Sequence, residues 1–166
     1  LALDSGHITA AGTPLAVLED PRHEFAASLA GFENLFRARV EAEHPELGTM
    51  TCSLQGTAAT IECPLYTGGV GMEVKVGIRA GDIMLSVPRP EGLSARNVLG
   101  GTIRSLRRLD VAVEVVVEAT AAPNAAPAVL FRVHITPGTV AALGLHQGQP
   151  IHLVMKTHSC RVMRGS

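Results

Sequence analysis

Gly92-Leu93-Ser94-Ala95-Arg96-Asn97-Val98-Leu99-Gly100-Gly101-Thr102-Ile103 sets a turn-former, a hydroxyl, a guanidinium and an amide ahead of a short apolar run that contains two glycines. The apolar run reads as a strand, and the residues before it read as its entry. Arg96 carries a permanent charge in a fork that matches the oxygens of an anion. Ser94 and Asn97 can donate hydrogen bonds, and a turn can aim backbone N–H groups the same way, as an anion-holding nest. Taken alone, these four residues are better accounted for by an ordinary strand entry with a surface arginine. A second cluster near the other end, Lys156-Thr157 with Thr136-Pro137 before it, offers the same chemistry again.

Working outward, the chain after this stretch is rich in strands. Val111, Val113, Val115 and Val117 alternate with Ala112, Glu114, Val116 and Glu118, the period of a half-buried strand. Residues 121–127 hold two prolines and an asparagine and read as a loop, with Val129 to Ile135 as the return strand. Thr136 as a hydroxyl cap and Pro137 at the first position begin a short helix, which Gly144 ends. In the next strand Ile151, Leu153 and Met155 share one face, and Lys156 falls on the other. Upstream, Met50, Cys52 and Leu54 share a phase, and Met72, Val74, Val76 and Ile78 alternate with polar or small residues. Many short strands and one short helix predict a mainly β fold, an OB-like Greek-key barrel.

The first residues differ in kind. Leu1 to Ala10 reads as a hairpin turning at Asp4-Ser5-Gly6-His7, followed by two short helices that end near Gly31. The chain opens without Met inside this strand, so a fragment of a longer protein is expected. The 166 residues fit one or two small domains. With 46% apolar residues but only 3% aromatics, Val, Leu, Ile and Ala must fill the core. A formal net charge of −1 offers no basic field to nucleic acid or a membrane surface. Cys52, Cys63 and Cys160 are odd in number and lack C-x-x-C spacing, so they read as reduced thiols. His146, His152 and His158 fall six apart, which suits neither zinc-ligand spacing nor one helix face, and no metal is expected. No nucleophile–base pair is recognisable, and no catalytic residue is assigned.

Ser94-Ala95-Arg96-Asn97-Val98-Leu99, then Ile135-Thr136-Pro137 with Leu143-Gly144-Leu145 and Gly148, then Val154-Met155-Lys156-Thr157, resemble the molybdate-binding (Mop, molbindin-type, TOBE) domain. The form resembled is the one at the C-terminus of molybdate and tungstate importer ATP-binding subunits, and the likeness runs from Leu93 to about Met163. Residues 1–31 resemble the end of an ABC nucleotide-binding domain. The resemblance implies a linker at 32–37 and a β-rich regulatory domain at 38–163, with 93–163 its oxyanion-binding part. It implies that Ser94 and Thr157 donate hydroxyls, that Arg96 and Lys156 supply charge, and that Ala95 offers its backbone N–H. It places the Thr136 hydroxyl at a neighbouring protomer's site, and Asn97 beside the ligand or holding the turn that carries it. Two of these have plain alternatives: Thr136 as nothing more than a helix cap, and Lys156 as an ordinary exposed lysine. His158, next to Lys156, is positioned to tune the site's response to pH.

By the same resemblance the ligand is molybdate or tungstate, and the partners are a second copy of the chain and a transporter membrane subunit, at the cytoplasmic face of the inner membrane. No cofactor is expected in this stretch. The sequence has no G-x-x-x-x-G-K-[ST] and no apolar strand ending in paired acids, so ATP and Mg are expected only in the parent ATPase. An accessory dimerisation domain of an importer for another solute, without oxyanion binding, is the alternative. Thr157 stands where serine is common, Gly100-Gly101 gives the strand an extra glycine, and 121–127 lengthens a usually tight hairpin. The segment from Phe36 to Pro64 matches nothing in the pattern.

Overall fold

The structure, a computed structural model, describes residues 2–4, 7–10, 31–120 and 128–164. The hairpin expected at the start is present as β1 (Ala2–Asp4) and β2 (His7–Ala10), paired antiparallel. The two helices expected between residues 13 and 31, and the loop expected at 121–127, lie outside the described residues. The rest is mainly β: β3 (Asn34–His44), β4 (Thr49–Leu54), β5 (Thr60–Pro64), β6 (Glu73–Ile78), β7 (Met84–Ser86), β8 (Asn97–Arg108), β9 (Val113–Ala119), β10 (Val129–Ile135), the helix α1 (Pro137–Leu143), β11 (Pro150–Met155) and β12 (Arg161–Arg164).

Alternation in the sequence places the core. Met50, Cys52 and Leu54 are buried on β4, Val74, Val76 and Ile78 on β6, and Val129, Phe131 and Val133 on β10. Their inner faces, with Ile151, Leu153 and Met155, form one continuous apolar cluster. Each such side chain fully removed from water contributes about 1.5–3 kcal/mol. Phe36 and Phe131 meet across it with ring centroids 4.8 Å apart. α1 forms as its ends dictate: the Thr136 hydroxyl accepts from the Thr139 N–H, and Gly144 closes the helix at φ +59°. Val111, expected in phase with the core valines, is 82% exposed, because the chain turns before β9 begins.

Apart from the β1-β2 hairpin, the other ten strands pair antiparallel in two five-stranded sheets, ordered β12-β6-β3-β4-β5 and β7-β11-β8-β9-β10. These orders show an internal repeat. A long first strand (β3 or β8) lies between the second and fourth strands of its own half, and the third forms the outer edge. The fifth strand crosses over: β7 pairs with β11, and β12 pairs with β6. Both long strands break register at the same point, between Val40 and Ala42 and between Ile103 and Ser105. Asn34 faces Ile78 as Asn97 faces Met155. The exchange covers one edge of each sheet with a strand from the other half, where an open edge would invite pairing with other chains.

One expectation changes here. The β region begins at Asn34, inside the stretch 32–37 expected as a linker, because Asn34 to Arg39 pair with β6. The last strand of the stretch 93–163, β12, completes the other sheet.

Two buried asparagines fasten the halves together. Asn97 Oδ1 accepts from the Glu62 N–H at 2.6 Å, and its Nδ2 donates to the Glu62 carbonyl at 2.9 Å. Asn34 does the same to Arg132 on β10, accepting from its N–H at 2.7 Å and donating to its carbonyl at 2.8 Å. Following the cross-strand partners, Glu62 and Arg132 are themselves counterparts in the two halves. Asn97, expected beside an oxyanion or holding its turn, instead spends both ends of its amide on the partner sheet.

Candidate functional site

Register brings the two distant clusters together. β8 and β11 are antiparallel neighbours, with Asn97 opposite Met155. Arg96 precedes Asn97 and Lys156 follows Met155, so both cations emerge at the same end of the paired strands. Ser94, Arg96, Lys156, Thr157 and His158 line one open cavity of about 600 Å³, with Leu47, Gly48, Thr49 and Glu62 from the other sheet closing its far side. That volume lies in the range that holds drug-sized ligands, more than a four-oxygen dianion fills.

The cavity is cationic on one wall. Arg96 and Lys156 are both exposed, with the Arg96 side chain 65% accessible, while Thr157 is buried at the floor. Thr157 stays buried because the chain makes a single 3-10 turn there, in which the Ser159 and Cys160 N–H groups donate to the carbonyls of Lys156 and Thr157. Thr49 contributes an Oγ1 that is buried without a hydrogen-bond partner. Opposing the cations is Glu62, with a side chain 21% accessible. Thr157 Oγ1 donates to its Oε1 at 2.9 Å, and Arg96 Nε lies 3.7 Å from its Oε2. One guanidinium and one hydroxyl donor therefore meet a single carboxylate, and Lys156 lines the same cavity.

Of the seven residues expected at the site, Ser94, Arg96, Lys156 and Thr157 line the cavity. Ala95 is buried beside it and does not line it. Asn97 is committed to Glu62. Thr136 does not line it within one chain: its hydroxyl caps α1 and bonds the Thr139 hydroxyl at 2.9 Å. Glu62 and Thr49 were not expected, because they sit in the segment that matches no pattern and reach the cavity only through pairing of β4 and β5. His158 lines it as its position next to Lys156 suggests.

The remaining reactive groups are occupied elsewhere. Cys52, Cys63 and Cys160 are all buried free thiols. Hydrogen bonds to Cys160 and Cys52, with burial, push the Cys63 thiol far above its ordinary value, so it is no nucleophile at neutral pH. Among the described residues no group of three or more His, Cys, Asp or Glu is arranged to hold a metal ion. No helix among them is long and apolar enough to cross a membrane.

The class that fold and site define is a mainly β, OB-like domain with a hydroxyl-lined cleft bearing Arg96 and Lys156 at the end of two paired strands. Residues 93–162 match the family model of the TOBE domain. Over nearly its whole length the chain is similar to molybdenum import ATP-binding proteins, ModC. It is 30% identical to that of Rhizobium meliloti (strain 1021) over 169 residues, covering 95% of this chain and 42% of the relative. It is 38% identical to that of Mesorhizobium japonicum over 117 residues, covering 70% and 30%. It is 26% identical to that of Vibrio vulnificus (strain YJ016) over 159 residues, covering 93% and 41%. The chain thus spans about two fifths or less of the length of these relatives. Among solved structures it shares its fold with the cytoplasmic molybdate-binding protein ModG in a molybdate-bound form, with a TM-score of 0.68 at 22% identity, covering 80% of this chain and 96% of ModG.

Proposed function

We propose that this chain is the oxyanion-sensing region of a molybdate or tungstate importer's ATP-binding subunit. The observation that carries the reading is the convergence of Ser94, Arg96, Lys156 and Thr157, more than sixty positions apart at the extremes, on one cavity. Molybdate and tungstate at neutral pH are tetrahedral dianions with acceptor oxygens and no protons. A site for them needs donors and positive charge, which these four side chains supply. The similarity to ModC proteins and the shared fold with ModG support that choice of anion.

In this reading residues 1–31 end an ABC ATPase domain, which binds ATP and Mg and docks on a membrane subunit at the cytoplasmic face. Two copies pair through their β domains. The open cavity, larger than the anion, is closed across that seam by the partner copy, with the Thr136 hydroxyl and the N-terminus of α1 facing in. Bound oxyanion then favours a transport-inactive arrangement of the ATPase pair. It does so only by as much as it binds that arrangement more tightly than the active one.

Isothermal titration of the chain with molybdate, tungstate, sulfate and phosphate tests the ligand. Saturable heat with molybdate or tungstate, lost in Arg96→Ala and Lys156→Ala, is the expected result. No heat with either, in this chain and in a folded Glu62→Gln variant alike, overturns the ligand assignment.

A second reading has one observation in its favour. The Glu62 carboxylate stands among the donors, as it would in a purely structural dimerisation domain of an importer for another solute. In that case Arg96→Ala and Lys156→Ala leave transport inhibition and pairing unchanged.

A further inference from the structure

We propose that Glu62 is an internal occupant of the anion cradle: its carboxylate holds the donors an oxyanion needs and must be displaced for the anion to seat. The proposal rests on the oxyanion-binding reading of the same cavity and names the residue that sets its threshold.

The geometry is that of a ligand, not of a bystander. One carboxylate oxygen takes the Thr157 hydroxyl at 2.9 Å, and the other faces the Arg96 guanidinium at 3.7 Å. These are two of the donors assigned to a dianion, and they reach Glu62 from opposite ends of the repeat, one before β8 and one after β11. The Thr157 hydroxyl has one proton, so a carboxylate and a dianion cannot both take it, and although Arg96 has further N–H donors, the two anions repel at contact distance in a half-buried cleft.

The internal repeat supplies an independent observation. Glu33 and Ala80 are the counterparts of Arg96 and Thr157, by the register that equates Asn34 with Asn97 and Ile78 with Met155. There the Glu33 carboxylate Oε2 accepts from the Ala80 backbone N–H at 2.8 Å. At the equivalent place in the first half a carboxylate thus also accepts from the residue that stands where Thr157 does, although there it comes from the position of Arg96 and not from that of Glu62.

Displacement is mechanically cheap. Asn97 clamps the N–H and carbonyl of Glu62, so its backbone stays fixed and only the side chain need rotate. Its outward path is open, because the cavity is open and the side chain already partly accessible. The bound carboxylate keeps Arg96 and Thr157 oriented in the empty site. An incoming anion must outbid an attached carboxylate of high effective concentration. A dianion with four acceptors does this better than a monoanion, so Glu62 also sharpens selection by charge.

The test is calorimetric titration of the 166-residue chain and its Glu62→Gln and Glu62→Ala variants with sodium molybdate at pH 7.5, with far-UV circular dichroism to confirm the fold. Both variants remove the competing charge, and Gln keeps the side chain's size. The expected result is molybdate binding at least tenfold tighter in Glu62→Gln than in the unaltered chain. Binding seen only in the variant supports the proposal equally. Equal or weaker binding by a folded Glu62→Gln, with the unaltered chain binding molybdate, overturns it while leaving the oxyanion reading standing. Absence of binding in all three folded chains overturns both.

Discussion

Asn97 and Glu62 are joined as two peptide groups in a sheet are joined, but through a side chain: the Asn97 amide both accepts from and donates to the backbone of Glu62, at 2.6 and 2.9 Å. The pair welds the strand bearing Arg96 to the strand bearing Glu62, so fold and site depend on one contact. Asn97→Ala leaves a part-buried N–H and carbonyl of Glu62 without these partners. Each such loss costs about 1–3 kcal/mol. The expected outcome is destabilisation by about 2–4 kcal/mol in urea unfolding, with Asn97→Asp little better, since a carboxylate cannot donate to the Glu62 carbonyl. Asn34→Ala, which breaks the equivalent contact with Arg132, should cost a similar amount.

Gly101 is required by a close approach rather than by its backbone angle. A Cβ there would lie 2.7 Å from the Glu118 carbonyl oxygen and 2.8 Å from Val117 Cγ1 on β9. The neighbouring Gly100 has open space around its Cβ position. Gly101→Ala must push β8 off β9 and is expected to destabilise by about 1–3 kcal/mol, the range for overpacking. Gly100→Ala should be neutral or slightly stabilising. Thermal melts of the two variants side by side check the contrast.

Glu114 sits buried on β9 between Arg107, at 2.9 Å, and Arg132, at 3.2 Å. Burial by itself would raise its carboxyl, but the hydrogen bonds and charges of the two arginines outweigh it and hold the group below its ordinary value. A carboxylate depressed on folding adds stability at neutral pH and loses it as pH falls through the folded value. Both arginines are more exposed than buried, so solvent screening keeps the gain near 1 kcal/mol. Glu114→Gln should therefore be less stable than the unaltered chain by about 1 kcal/mol at pH 7. The gap should close as pH falls below the ordinary glutamate value of about 4.3. Urea midpoints across pH 3 to 7 measure it.

Strand phase and the caps of α1 are written locally, so Met50-Cys52-Leu54, Val74-Val76-Ile78 and Thr136-Pro137 are legible in the sequence. Arg96 and Lys156 are legible as a pair only through the family pattern, because the register that unites them is a long-range property. Glu62 carries no local sign. It reaches the cavity through the pairing of β4 with β5 and the crossing of sheets, neither of which a single strand encodes. The internal repeat is hidden because the halves keep geometry and not residues. Gly31-Phe32-Glu33-Asn34 stands where Ser94-Ala95-Arg96-Asn97 does, with only the asparagine shared. Its faint trace is an asparagine ahead of an apolar strand in each half, and a basic residue after the matching strand, Arg79 and Lys156.

Thr136 separates a cap from a binding group. Its hydroxyl accepts from the Thr139 N–H at 3.2 Å, and within one chain it does not line the cavity. Losing the cap by Thr136→Ala should cost about 1 kcal/mol whether or not the residue meets an anion. Aspartate caps helices as well as serine does, so Thr136→Asp keeps the helix start and adds a negative charge. If Thr136 faces the cavity of a partner copy, that charge repels the dianion at the seam. Molybdate binding should then fall at least tenfold with the melting temperature retained, and Thr136→Asn, a neutral cap, should bind nearly as the unaltered chain does. Unaltered molybdate affinity in a stable Thr136→Asp would restrict Thr136 to capping and remove the partner copy from the site.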